Sequence, residues 1–232
     1  MATKSIGNIV PVQGLKIQKR TLRKSLATTL AQLTPASLDE QSEAIAARVL
    51  SLPAFKQASS ICCYLHMPSG EVRTTALVDT ILSSDKKLFV PKVQSKDGAM
   101  EFFRVYSSQD LAALPANSWG IREPPEMWQG QHRSKVFILI PGNDSEYLDI
   151  ILVPGVAFDR TFARLGHGKG YYDRFLTSYV KTERASPLLV GLALREQMLP
   201  IAEIPMQEHD WRLDMIITPD ETLVTRNSDS SE

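Results

Sequence analysis

"DIILVPGVAFDRTFARLGHGKGYYDRF", Asp149 to Phe175, begins with an apolar run that stops at Pro154-Gly155. It ends with three glycines spaced around a histidine and a lysine, ahead of two tyrosines and an aspartate. The run "IILV" shows no polar alternation, so it reads as a strand buried on both faces rather than wetted on one. The glycines then open a helix that continues to about Tyr179. A buried strand followed by a helix is the repeating unit of an α/β fold.

The rest of the chain repeats that unit. Leu22, Leu26, Leu30 and Leu33 recur at helical spacing over Lys16 to Leu33. Thr34-Pro35 reads as an N-cap with proline in the first turn of a second helix, which stops before Pro53. "SICCYLH" (Ser60 to His66) reads as a buried strand running into the loop "MPSGE", and a short helix follows near Thr74 to Leu82. Strands are expected at Lys87 to Val93, Met100 to Val105, Val136 to Ile140, Leu188 to Leu194 and Asp214 to Thr218. Leu114 to Glu126 reads as an irregular surface loop or lid, and 136–148 contains an excursion between strands. These elements predict one domain over 16–220, a three-layer α/β/α sandwich with a mostly parallel central sheet. Ligands should gather at the carboxyl ends of its strands. Residues 1–15 are expected to form a loose arm and 221–232 a polar tail.

Composition removes several function classes. The chain has 232 residues, of which 43% are apolar and 22% charged, enough for a sizeable core. The 26 basic side chains equal the 26 acidic ones, so no global charge argues for nucleic acid. No apolar run approaches the roughly 18 to 20 residues of a membrane-spanning helix. Cys62 and Cys63 are adjacent in a strand, so their side chains should face opposite ways and not bridge, which fits a reducing compartment. The first acidic residue is Asp39, after six basic ones. Such a start resembles a mitochondrial presequence. Five of those six fall inside the first helix, however, so the cytosol is the expected compartment and the mitochondrion the alternative.

The glycine segment fits neither common nucleotide motif. A Walker loop needs a glycine where Ala163 stands and a hydroxyl where Gly170 stands, and the spacing is not G-x-G-x-x-G. Physically it is a run of small residues with a lysine, entering a helix whose N-terminal end is positive. A phosphate cradle and a plain helix-entry turn both satisfy that pattern. Asp173, in the first turn of the helix, either complements the dipole or holds Mg²⁺ beside phosphate. "EHDWRLD" (Glu208 to Asp214) supplies further acids. On the first helix Lys19 and Arg23 sit about 40° apart at the edge of the apolar face, while Arg20 and Lys24 fall toward solvent. They form either a snorkelling basic rim or a grip on phosphate. His209 and His167 read as ordinary loop histidines, and no spacing suggests zinc or a nucleophilic triad.

Five segments in order resemble the 5-formyltetrahydrofolate cyclo-ligase family: "KRTLRKSL", "YLHMPSGEVRT", "SWGIREP", "ILVPGVAFDRTFARLGHGKGYYDRFL" and "EHDWRLDMIIT". The likeness covers roughly Lys19 to Thr218. It implies a Rossmann-like open sheet of the NagB/RpiA/CoA-transferase type, acting as a monomer. It also implies ATP as co-substrate, Mg²⁺, and 5-formyltetrahydrofolate, polyglutamated forms included, converted to 5,10-methenyltetrahydrofolate with ADP and phosphate. Carried over, Lys19, Arg20, Thr21, Leu22 and Arg23 bind ATP together with Arg164, Leu165, Gly166, His167, Gly168, Lys169, Gly170, Tyr171 and Tyr172. Leu65, Met67, Glu71 and Trp119, with His167, Gly168, Lys169, Gly170 and Tyr171, line the folate pocket. Lys169, Glu71 and Tyr171 are the implied catalytic residues, and Asp173 and Asp210 the implied metal ligands.

Overall fold

The first helix starts earlier than the leucine spacing predicts. In the computed structural model, which describes residues 12–94, 99–117, 120–136, 147–182 and 185–225, α1 spans Val12–Leu30. The arm assigned to 1–15 therefore already contributes a helical turn. Thr34 caps α2 (Pro35–Ser51) as expected: its side chain accepts the Ser37 N–H at 3.2 Å, and Pro35 occupies the first turn. Pro53 ends that helix and begins a short α3 (Pro53–Gln57), which the sequence pattern does not announce.

The remaining elements, in chain order, are β1 (Ser60–Cys62), α4 (Thr75–Leu82), β2 (Lys87–Val93), β3 (Met100–Val105) and α5 (Ser108–Ala112). A small hairpin of β4 (Met127–Trp128) and β5 (Gln131–His132) follows. Then come β6 (Ile150–Val153), β7 (Ala157–Asp159), β8 (Arg164–Leu165), α6 (Tyr171–Val180), β9 (Leu188–Leu192), β10 (Met198–Leu199), β11 (Met215–Ile217) and β12 (Thr222–Val224). Of the strand read at Val136 to Ile140, only Val136 is described; it is buried, and 137–140 lie outside the described residues. The polar end of the chain is not all tail, since Thr222–Val224 pairs antiparallel with β11 as an edge strand.

Seven strands form one sheet in the order β12-β11-β9-β6-β1-β2-β3. The inner pairs β11 with β9, β9 with β6, β6 with β1 and β1 with β2 are all parallel, and only the two edge pairs are antiparallel. Alternation sorts the apolar strands into two cores. Ile150 and Leu152 join Ile45, Val49, Leu77 and Ile81 from α2 and α4 on one face. Ile151 and Val153 join Tyr172, Phe175, Leu176 and Tyr179 from α6 on the other. The cysteines obey the same rule, Cys62 lying in the second core and Cys63 in the first. The three-layer α/β/α architecture is thus as expected.

From β1 the chain winds outward through β2 and β3; it then returns to the other side of β1 as β6 and winds outward again through β9 and β11. The sheet therefore reverses direction between β1 and β6, the point at which doubly wound sheets open a crevice beyond their strand ends. A second, three-stranded sheet, β10-β7-β8, lies beside that point. Its Ala157, Leu165 and the nearby Val156 and Ile204 pack with Leu26 of α1, which brings the basic helix to the crevice.

Candidate active site

A cavity of about 840 Å³ opens where the sheet reverses, with Pro154, the residue after β6, in its wall. The glycine loop forms one side, since every residue from Arg164 to Tyr172 lines it. Gly168 has φ +97°, and a Cβ there would meet the Arg23 guanidinium at 3.3 Å, so glycine is needed for both conformation and close approach. Gly170, at φ +66°, turns the chain into α6, whose first turn leaves backbone N–H groups without intrahelical partners. Arg174, one turn on, donates to the Lys169 carbonyl and stacks 5.9 Å from the Tyr171 ring. The loop is braced from within the helix it opens.

Lys19 and Arg23 both line the cavity, so the edge of the first helix faces the cleft. Arg23 Nε donates to the Gly166 carbonyl at 2.7 Å, and Lys19 Nζ pairs with Asp210. Burial lowers the Arg23 pKa from its ordinary value, with Asp210 acting in the opposite direction. Arg20, Thr21 and Leu22 do not line the cavity. Arg20 and Thr21 are exposed on the outer side of α1, and Leu22 packs against the core around Leu26. A helix can present only every third or fourth residue to one cleft. Lys16, one turn before Lys19, does line it, as do Arg174, Gln207 and His209. Only Lys16 was legible beforehand, from its i, i+3 relation to Lys19.

The two aspartates share one wall. Asp173 Oδ2 accepts from Arg164 at 3.0 Å, and its Oδ1 accepts the Trp211 N–H at 3.1 Å. Trp211 Nε1 also donates to Thr177 at 2.9 Å, which fastens the segment carrying Asp210 against α6. Asp210 in turn accepts the Gln207 N–H at 2.8 Å and faces His209 at 3.8 Å, so His209 belongs to the cavity rather than to a plain loop. Among the described residues no three His, Cys, Asp or Glu side chains gather into a cation cage. Asp173 and Asp210 are two carboxylates that could hold Mg²⁺, an ion that keeps several waters and needs only one or two protein carboxylates. Six lysines and arginines against two aspartates line the cavity, an excess of positive charge that would attract an anion.

Glu71 reaches the same place from the loop after β1. It is buried, accepts the Met67 N–H at 3.0 Å, and its other oxygen lies 3.6 Å from His167 Nε2. Leu65 instead lines a separate cavity of about 210 Å³ with His66 and Arg122, and Met67 is half-buried outside both. Trp119 lies outside the described residues. His66 accepts the Thr74 N–H on Nδ1 at 3.2 Å, and burial lowers its pKa. Burial also pushes the Tyr64 and Tyr172 hydroxyls and the Cys62 thiol well up, and the Cys63 thiol to about 12. None of these four is an anionic nucleophile at neutral pH.

No helix among the described residues is long and apolar enough to cross a membrane. A "probable 5-formyltetrahydrofolate cyclo-ligase" of Schizosaccharomyces pombe is 37% identical over 214 residues, covering 90% of this chain and 98% of that protein. The Mus musculus 5-formyltetrahydrofolate cyclo-ligase is 34% identical over 202 residues, covering 87% and 94%. The solved 5,10-methenyltetrahydrofolate synthetase of Aquifex aeolicus superposes with a TM-score of 0.66 at 32% identity, covering 92% of this chain and 96% of that one. Residues 15–219 match the family as a whole, and with the fold and the relatives in agreement the chain belongs to the 5-formyltetrahydrofolate cyclo-ligase family.

Proposed function

We propose that this protein catalyses the ATP- and Mg²⁺-dependent conversion of 5-formyltetrahydrofolate to 5,10-methenyltetrahydrofolate, releasing ADP and phosphate. The observation that carries the reading is the contact between two differently specialised walls. The cation-rich glycine cavity meets the Glu71 loop through His167, 3.6 Å from the carboxylate. A polyanion and a folate bound on those two sides would present their reacting atoms to each other.

The substrate's formyl oxygen is a poor leaving group until it carries phosphate. Once it does, N10 of the same molecule can attack the activated carbon and close the ring. Well-oriented intramolecular reactions of this kind reach effective molarities of about 10⁵ to 10⁸ M, so the protein need supply no nucleophile. Its task is positioning and charge neutralisation. Lys19, Arg23, Arg164 and the glycine backbone would hold the triphosphate, and Lys169, which has no ion-pair partner among the described residues, would follow the transferred group. Asp173 and Asp210 would hold Mg²⁺, which when bound neutralises phosphate charge. Glu71 would orient the folate, with Lys169 to Tyr171 closing over it; the places of Leu65, Met67 and Trp119 in that pocket rest on the resemblance.

The test is direct. Purified protein with Mg²⁺, ATP and 5-formyltetrahydrofolate should show the near-ultraviolet absorbance of methenyltetrahydrofolate growing with time. Omitting ATP should abolish the change. A flat trace at saturating concentrations of all three would refute the proposal.

A further inference from the structure

Tyr172 is an anomaly in the wall of this cavity. Its side chain is buried, 8% exposed, and its hydroxyl has no hydrogen-bond partner among the described residues. Its neighbour Tyr179, on the same helix face, does have one, donated by the Leu148 N–H at 3.2 Å. An unpaired buried hydroxyl costs stability that phenylalanine would not, so packing alone gives no reason for tyrosine here. The ring is well supported without it, lying 5.5 Å from the Arg164 guanidinium and 6.2 Å from the Phe102 ring. The same side chain lines the cavity beside Arg164 and Asp173 and shares a core with Cys62 of β1. It therefore stands where the cavity wall meets the end of the sheet.

We propose that Tyr172 is a catalytic residue whose hydroxyl donates a hydrogen bond to the oxygen that links the formyl carbon to phosphorus. The inference rests on the function proposed above. That oxygen is the one atom both half-reactions share: it attacks phosphorus first and leaves carbon second. In the second step the N10–carbon bond forms, the carbon–oxygen bond breaks with its electron pair leaving on the phosphate, and the N10 proton passes to solvent. Negative charge grows on the oxygen only in this step, so a neutral donor placed there accelerates ring closure and not phosphorylation.

Tyr172→Phe separates this role from a structural one. The melting temperature of the variant should equal or exceed that of the wild type, because an unpaired buried hydroxyl has been removed. In single-turnover mixing with rapid quench, methenyltetrahydrofolate formation should slow by about 100-fold while ADP formation keeps its rate, so that ADP appears ahead of product. Wild-type rates for both would overturn the inference and leave the cyclo-ligase reading intact. So would ADP and product slowing in step, or activity falling together with the melting temperature. A wild-type protein that never turns over would overturn both.

Discussion

Two buried ion pairs in this protein look alike on paper and differ in what they leave available. Asp110 and Arg133 have side chains only 0% and 1% exposed. Their fork is doubled, with Arg133 Nη1 on Asp110 Oδ2 at 2.6 Å and Nη2 on Oδ1. Arg133 also donates to the Arg104 carbonyl at 3.0 Å, and Asp110 accepts the Tyr106 N–H at 3.0 Å. The Tyr106 and Trp128 rings flank the guanidinium at 5.9 and 5.1 Å. Lys19 and Asp210, at 11% and 13%, meet through a single contact on a cavity wall. An ammonium has three donors, so Lys19 keeps capacity for a ligand, whereas the carboxylate of Asp110 is enclosed. The first pair locks a hairpin to the sheet edge; the second holds charges ready for exchange.

The largest effect should follow from breaking the closed pair. Removing one partner leaves a charge sealed in the interior, which costs about 3–5 kcal/mol. Asp110→Ala should lower the unfolding free energy by that amount in urea titrations, while turnover per folded molecule stays near wild type. A loss of turnover without a loss of stability would place this pair in the active site and dissolve the contrast.

The open pair should give the reverse profile. Lys19→Met leaves Asp210 beside a wet cavity with the Gln207 N–H still bound, so the stability loss should be well below that of Asp110→Ala. A hydrogen bond to a charged group contributes about 1.5–3 kcal/mol, so losing the phosphate contact should raise the KM for ATP about ten- to a hundredfold and move the folate KM much less. Initial-rate kinetics with each substrate varied in turn would show it. Equal rises in both constants would mean that Lys19 supports the whole cavity rather than one ligand.

How far the sequence revealed this contrast depends on the range of the interactions. The layered fold was legible because strands such as Ile150–Val153 and the Thr34-Pro35 cap are local signals, complete within a few residues. The glycine loop and Lys19 were legible as chemistry but ambiguous as geometry, and the fold brings both to one cavity by packing Leu26 of α1 against Ala157 and Leu165. The small sheet was not legible. Its strands are two or three residues long, too short for any period, and β7 finds its partner β10 about 40 residues away. The Arg133–Asp110 lock was silent for the same reason, since nothing in the neighbourhood of either residue names the other. The Thr222–Val224 strand hid in a polar tail because an edge strand needs backbone pairing more than apolar side chains.

The smallest effect tests whether enclosure, rather than pairing as such, separates the first two cases. Arg73 and Asp39 also form an ion pair, but their side chains are 29% and 53% exposed. Exposed pairs contribute less than about 1 kcal/mol and weaken as salt screens them. Arg73 does not depend on Asp39 for its place, because its backbone N–H donates to Ser42 Oγ at 2.9 Å. Glu71, two residues earlier, is held independently through the Met67 N–H. Asp39→Ala should therefore change the unfolding free energy by less than about 1 kcal/mol at low salt and by nothing measurable at high salt, with unchanged turnover. A larger loss that persists in high salt would show that α2 and the Glu71 loop are joined by this contact, and the ranking by exposure would fail at its most exposed member.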